Sequence, residues 1–438
     1  MGRLSASARR WSAVRRLRGG ADSEVDEGLY SRQLYVLGHK AQRSLSASAI
    51  LLIGLSGLGA EVSKNLVLAG VGSLDVHDPT PATLTDLSSS FLLQNDDLGF
   101  ARGKKAAERL APLNPYVRVR SLDALGPQSD ETAESSQTQA TNHWPPSSEP
   151  DPRLDGYTVV VAVDRPHAEL LSLSAACRRS GCRLVACDSR GVFGRVFCDF
   201  GEEFTVDDVD GETPKSALLE HVGEDEFADV SCVPEQPHGL EDGDTVRFEE
   251  VDGMEPLCAE GKTFQVTVRS RHVVTIGDTR GLGTYNGGGR MVQVKQPRVL
   301  KFQSFEEALK SPGILDNGMD SPKRLRTIHA CFACADAVIP HPATQPVLSE
   351  PILNQDEAAA ALHGAIEMSN LVPEGRIVSS IVDDFAGGAG GALSPMAAFL
   401  GGVAAQEVIK ACTHRYTPLE QFLYVDASSC LPTPRPTA

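Results

Sequence analysis

The decisive stretch runs Ala49-Ile-Leu-Leu-Ile53, Gly54-Leu-Ser-Gly-Leu-Gly59, Ala60-Glu-Val-Ser-Lys-Asn-Leu-Val-Leu-Ala69, and, after Gly70, Ser73-Leu-Asp-Val-His77 followed by Asp78. The first five residues are a short continuous apolar run, the pattern of a strand buried on both faces of a parallel sheet. The glycine segment is a turn. From Ala60 to Ala69 the pattern is helical, with Val62, Leu66 and Ala69 on one face and Gly70 as the stop. Ser73–His77 is a second strand, ending at an acid. A strand, a glycine turn, a helix and a strand in this order open a doubly wound α/β nucleotide-binding fold.

Outward from this unit, the sheet is expected to resume at Thr158–Val163, Arg183–Cys187 and Val192–Phe200. Residues 127–152 are rich in Ser, Thr, Gln, Glu and Pro, and read as a disordered surface insertion with almost nothing to bury. Between Phe204 and Val294 the pattern changes to short alternating segments (Thr245–Val251, Thr263–Ser270, His272–Asp278) separated by Gly and Asp turns, which predicts a small antiparallel β unit. Residues 305–381 read as helices, among them Leu325–Val338 and Asp356–Met368. Ser394-Pro395 is read as an N-cap and a first-turn proline opening a helix to Cys412, before a last strand at Phe422–Asp426.

The chain has 438 residues and a formal net charge of −17, which disfavours nucleic acid and anionic membranes as partners. The charge is uneven, because Arg3, Arg9, Arg10, Arg15, Arg16 and Arg18 stand in an acid-free head. That head reads either as disordered or as an organelle transit segment. No stretch of 18 apolar residues is present to span a bilayer. Ten cysteines without a secretory signal suit a reducing, cytoplasmic or nuclear compartment, with mitochondrial or plastid targeting by the head as the alternative.

A glycine turn between strand and helix lets backbone N–H groups approach phosphates, and Asp78 stands where a carboxylate takes a ribose hydroxyl. The dinucleotide pattern fails when read literally, since counting from Gly57 its third glycine falls on Val62. A tight turn serving only helix–sheet packing is the competing reading.

Wider motifs decide between them. Asp26-Glu-Gly-Leu-Tyr-Ser-Arg-Gln-Leu-Tyr-Val-Leu-Gly38, Gly54-Leu-Ser-Gly-Leu-Gly-Ala-Glu61, Asp188-Ser-Arg-Gly-Val-Phe-Gly194, Phe197-Cys-Asp-Phe-Gly-Glu-Glu203, Gly402-Val-Ala-Ala-Gln-Glu-Val408 and Leu423-Tyr-Val-Asp426 follow in order along the chain. Together they resemble the N-terminal half of ubiquitin-activating and ubiquitin-like modifier-activating enzymes, over about Val25 to Pro432. The resemblance implies a doubly wound Rossmann-like (ThiF-type) adenylation domain, the inactive one of two repeats. It also implies an inserted small β-barrel, the first catalytic-cysteine half-domain, and an inserted four-helix bundle. The expected division is a basic head (1–24), the first part of the adenylation domain (25–203, with the insertion at 127–156), the β unit (204–295), the helical bundle (296–385), the returning adenylation domain (386–432) and a tail (433–438).

Adenylation needs a phosphate cradle, cations on the phosphates and a carboxylate for Mg²⁺. The positions that match the family's are Gly54, Gly57, Gly59, Asp78, Arg102 and Asp164, and they make a degenerate cradle. Ser56 replaces the middle glycine, and Thr85-Asp-Leu-Ser-Ser-Ser90 places Ser89 at the phosphate arginine and lacks both asparagines. The chain alone is therefore expected to turn over no ATP, with ATP and Mg²⁺ belonging to a completed enzyme. The resemblance implies that Arg32 reaches in trans to the ATP phosphates of an active repeat. A plain helix salt bridge is the alternative for Arg32. None of the cysteines matches the family's thioester cysteine, and Cys430 falls at a repeat junction. Cys331 and Cys334, with His329 nearby, give at most half a zinc site and read as buried helix cysteines, so no metal is expected. Arg16-Leu-Arg-Gly-Gly20 imitates ubiquitin's tail but is internal. The implied partners are an active adenylation half, ubiquitin or a ubiquitin-like modifier and, indirectly, a conjugating enzyme. Two competing readings are a truncated isoform or fragment without activity and an independent nucleotide-binding Rossmann enzyme.

Overall fold

A computed structural model describes residues 26–125, 144, 149–314, 318, 320–339, 354–369, 371–372 and 376–430. The basic head, the Arg16–Gly20 run, most of the 127–156 insertion and the tail lie outside the described residues. The chain divides into two compact units, one of Met1–Phe204, Leu300–His414 and Pro418–Ala438, the other of Thr205–Val299 with Arg415–Thr417.

The first unit opens with helix α1 (Glu27–Ser46), then β1 (Ala49–Ile53), α2 (Gly57–Ala69), β2 (Ser73–His77), β3 (Arg118–Ser121), β4 (Val159–Val163), β5 (Arg183–Arg190) and β6 (Phe193–Asp199). Across the sheet the order is β3-β2-β1-β4-β5-β6 and then the strand Phe422–Asp426. β1 to β5 pair in parallel, while β6 and the last strand are antiparallel. The order reverses between β1 and β4. At such a switch point the crevice beyond the carboxyl ends of the strands is the natural ligand site. β1, β2, β4 and β6 are buried along their whole length.

Several predicted boundaries move for local physical reasons. α2 starts at Gly57 rather than Ala60, because Ser56 is its N-cap and accepts a hydrogen bond from the Gly59 N–H. Gly70 closes α2 with φ 82°, as the stop signal requires. Ser394 is not an N-cap. Leu393 holds that position, the helix runs Ser394–Thr413, and the Ser394 hydroxyl donates to the Ser88 carbonyl at 3.1 Å. The helix predicted from Leu325 starts earlier, as Pro322–Ala335, because Ser321 caps it through the Arg324 N–H. β5 runs on to Arg190, three residues past the predicted end, because Ser189 and Arg190 pair with Gly194 and Phe193 across the hairpin to β6.

Trp144 corrects the reading that the insertion buries almost nothing. Its side chain is 1% exposed in the core with Leu122, Leu154 and Leu173, and the Arg153 guanidinium lies 4.1 Å from the ring centroid. Helices Phe305–Lys310, Pro322–Ala335, Gln355–Ser369 and Ser379–Gly388 join that core through Phe305, Ile328, Phe332, Leu362, Ile366 and Phe385.

A buried ionic chain ties helix Pro322–Ala335 to the sheet. Arg195 donates to Asp188 at 2.8 and 2.5 Å, and its Nη1 lies 2.8 Å from His167 Nε2. Arginine cannot accept, so Nε2 accepts, and Nδ1 donates to Asp336 at 2.8 Å. Burial, helped by the Arg195 charge, pushes the His167 pKa down, in keeping with this neutral tautomer. Burial would raise the Asp336 pKa, but the His167 hydrogen bonds and the Arg190 charge hold it well below the carboxylate range.

The second unit is a seven-stranded antiparallel sheet over a core that includes Val230, Val246, Phe248, Met254 and Met291. The predicted strand Thr263–Ser270 is two strands. Phe264–Gln265 pairs with Thr245–Val246, the chain changes partner at buried Val266, and Thr267–Ser270 pairs with Val273–Thr275.

Candidate functional site

The crevice at the switch point is built from the turn after β1, the end of β4, the end of β5, the Thr85–Ser89 segment and the start of helix Ser394–Thr413. Its lining includes Ser56, Gly57, Asp86, Ser89, Asp164 and Ser189, and its volume is about 30 Å³.

Of the predicted cradle residues Gly54, Gly57, Gly59, Asp78, Arg102 and Asp164, Gly57 and Asp164 line the crevice and the others do not, and all six engage the turn or its neighbours. Gly54 adopts φ 98° against the Val163 carbonyl, so no other residue fits that turn. A Cβ on Gly57 would lie 2.7 Å from Ser89, and one on Gly59 would press on the Gly54 carbonyl. Asp78 accepts from the Leu55 N–H at 2.6 Å and the Thr80 N–H at 3.0 Å. It also accepts from Arg102 Nε at 3.1 Å, while Arg102 Nη1 donates to Asp86 at 2.8 Å. Asp86 in turn accepts from the Thr83 N–H and hydroxyl at 2.8 Å each. Burial would lower the Arg102 pKa, but the Asp78 and Asp86 charges outweigh it and raise it, so the guanidinium stays charged. Arg102 is 2% exposed and Asp78 4%. The ribose carboxylate and the phosphate cation of the sequence reading thus form one buried ion triad.

Asp164 is tied in the same way. It sits at φ 51°, accepts from the Ser56 hydroxyl at 2.5 Å and from the Ser189 N–H at 2.9 Å. The Ser189 hydroxyl is buried in the wall of the crevice without a hydrogen-bond partner in the structure. For a nucleotide the fit is poor, since the cation is neutralised, the carboxylates are engaged and Ser89 fills the slot beside Gly57.

Arg32 does not join this group. It lies in the first half of α1, is exposed, and makes no ion pair with the described residues. Its neighbour Gln33 bonds the last residue of α2, so Arg32 stands about a helix length, ~20 Å, from the glycine turn. Cys331 and Cys334 are buried, and burial pushes both thiols up, which leaves them protonated and poor ligands. His329 uses both ring nitrogens, with Tyr424 at 2.6 Å and the Leu309 carbonyl at 3.0 Å. Among the described residues no three His, Cys, Asp or Glu side chains are arranged to hold a metal.

The sequence reading gave Asp86 no role of its own. The Thr83-x-x-Asp86 spacing is a capping-box signal that could have located it.

Fold and crevice together define a Rossmann-like α/β domain with a glycine turn at the switch point of its sheet. Residues 30–433 match the ThiF family, and the chain belongs to that family. It is 36% identical over 421 residues to human ubiquitin-like modifier-activating enzyme 1, covering 95% of this chain and 37% of that protein. It is 35% identical over 416 residues to ubiquitin-activating enzyme E1 1 of Schizosaccharomyces pombe, covering 93% and 38%. The corresponding Arabidopsis thaliana enzyme E1 1 is 36% identical over 419 residues, covering 94% and 36%. The chain thus spans a little over a third of the length of these relatives.

Proposed function

We propose that this chain is the noncatalytic half of a ubiquitin-like modifier-activating enzyme. It scaffolds an active adenylation half and completes in trans that half's ATP-dependent, thioester-forming site. One observation carries the reading: the groups that would bind a nucleotide here, Asp78, Arg102 and Asp164, are consumed by each other and by the turn. Arg32, by contrast, is an exposed guanidinium outside that network. Uncompensated triphosphate charge has no partner in the crevice, whereas Arg32 offers a fork of donors suited to phosphate oxygens.

In this reading the antiparallel unit is the barrel-like catalytic-cysteine half-domain, the helices of residues 296–385 are the inserted bundle, and the work is done in cytosol and nucleus. Its partners are the active half, a modifier of the ubiquitin class and, through them, a conjugating enzyme. ATP and Mg²⁺ are held by the active half.

The test is ATP–pyrophosphate exchange by the chain mixed with a matching active half. Exchange is expected only in the mixture, and Arg32→Ala is expected to lower it while association, followed by size exclusion, persists. Exchange by the isolated chain, or none on mixing, defeats the proposal.

A further inference from the structure

α1 is two segments. Gly38 has φ 75° and ψ 165°, which no helix contains, so residues 27–37 form a separate arm ahead of the buried stretch around Ala41 and Leu45. Most of that arm is polar or exposed, and two side chains fasten it to the carboxyl end of α2. Tyr30 is buried, and its hydroxyl accepts from Asn114 Nδ2 at 2.9 Å while the same Nδ2 donates to the Val67 carbonyl at 2.9 Å. The Tyr30 ring lies over Gly70, where a Cβ would come within 2.5 Å of the hydroxyl oxygen. Gln33 Nε2 donates to the Ala69 carbonyl at 2.8 Å. Gln33 thus caps the Ala69 carbonyl at the helix end, while Asn114 adds a second donor to the Val67 carbonyl, which already accepts from the Gly70 N–H. Arg32 stands between these two anchors. Beside it, at helical spacings of three and four, Leu29, Tyr35 and Val36 are 54%, 93% and 53% exposed.

We propose that Tyr30 and Gln33 are positioning residues. By locking residues 27–37 onto the end of α2 they hold the Arg32 guanidinium in one pose before any partner arrives. This rests on the reading that Arg32 acts in trans. A long, rotamer-rich side chain delivered from a frayed arm would lose its alignment on docking, and fastening the arm removes that loss in advance.

The test has two arms, both with the full chain. In amide hydrogen exchange on the chain alone, Gln33→Ala and Tyr30→Phe are expected to speed exchange of residues 31–37 roughly fivefold, the size of one lost hydrogen bond, with the sheet amides unchanged. In pyrophosphate exchange with the active half, Gln33→Ala is expected to lower kcat more than it changes KM for ATP. It should have no further effect in an Arg32→Ala background, and Gln33→Lys, which keeps a donor for the Ala69 carbonyl, should restore the rate. If Arg32→Ala lowers the rate but Gln33→Ala does not, or if the arm's exchange is unchanged, the positioning role is overturned and the trans role stands. If Arg32→Ala has no effect, the trans role falls and the positioning role with it.

Discussion

Replacing Arg102 by Met tests whether the crevice is a closed structural triad or an open phosphate site. In the structure the guanidinium makes contacts of 3.1 and 2.9 Å to Asp78 and one of 2.8 Å to Asp86, at 2% exposure. Methionine conserves most of the volume, so packing changes little, but both carboxylates lose their counter-charge while remaining enclosed. Breaking a buried pair from one side costs ~3–5 kcal/mol. Arg120→Met is the comparison. Arg120 also forks onto a buried carboxylate, Asp75, but its own side chain is 50% exposed, only one carboxylate loses its partner, and Asp75 keeps the Tyr157 hydroxyl as a donor at 2.7 Å, so a smaller cost is expected. The assay is urea unfolding followed by Trp144 emission. The chain has two tryptophans, and a Trp11→Phe background leaves the one in the core of this unit. Pairing Arg102→Met with Asp78→Asn should cost about 2 kcal/mol less than the sum of the singles, because the unpaired charge goes with its partner. Calorimetric titration of ATP with Mg²⁺ should give no binding heat with either wild type or variant. A cost for Arg102→Met no larger than that of Arg120→Met, together with ATP binding lost on mutation, would refute the closed triad and return Arg102 to a phosphate role.

Ser56→Gly restores the missing middle glycine, and is expected to lose about 1–3 kcal/mol by urea midpoint, chiefly the bond to buried Asp164, without gaining ATP binding by calorimetry. Gln42→Leu should stabilise by about 1–2 kcal/mol in the same assay, since Gln42 is fully buried and both amide atoms lack partners in the structure. Asp336→Asn should cost about 1–3 kcal/mol at pH 7. The folded pKa of Asp336 is depressed, so its contribution is present above the ordinary carboxylate pKa of about 4 and fades below it. The gap between wild type and variant in urea scans should therefore close as the pH falls below about 4. Under native conditions at pH 8, iodoacetamide should modify exposed Cys430 well before Cys331 and Cys334, with mass spectrometry as the readout.

The strand, turn and helix of residues 49–78 were legible because apolar runs and glycine spacing are local signals, and local sterics decide them. Boundaries were less so where a cap or a distant partner decides them. Ser56 caps α2 and pulls its start back to Gly57, whereas Ser394 looks like a cap but spends its hydroxyl on Ser88, far away in sequence. The α1 arm was not assigned as an element although Tyr30, Leu34, Leu37, Ala41 and Leu45 stand at helical spacing, because Gly38 interrupts the pattern and the arm's motif drew the reading instead. Trp144 was missed for the converse reason: a single aromatic in polar, low-complexity surroundings gives no pattern, yet one ring over Arg153 suffices to anchor it in a core.

Each residue of the cradle motif has a use in the fold itself. Gly54 is required by its positive φ against Val163, Gly57 by contact with Ser89, and Gly59 by the Gly54 carbonyl. Asp78 is required because it holds the Leu55 N–H, an otherwise orphaned donor in a buried turn, and Arg102 because it neutralises Asp78 and Asp86. Glycine spacing and an acid some twenty residues on therefore cannot by themselves distinguish a working nucleotide site from its packed descendant. What distinguishes them is where the nearby charges go. A site that awaits triphosphate must leave a cation uncompensated, and here the buried cation at the crevice meets two carboxylates, while Arg32 stands a helix length away. Under the proposed trans role, the weight falls on the arm rather than the crevice, and Arg32 and Gln33 are the residues whose substitution should change chemistry more than stability.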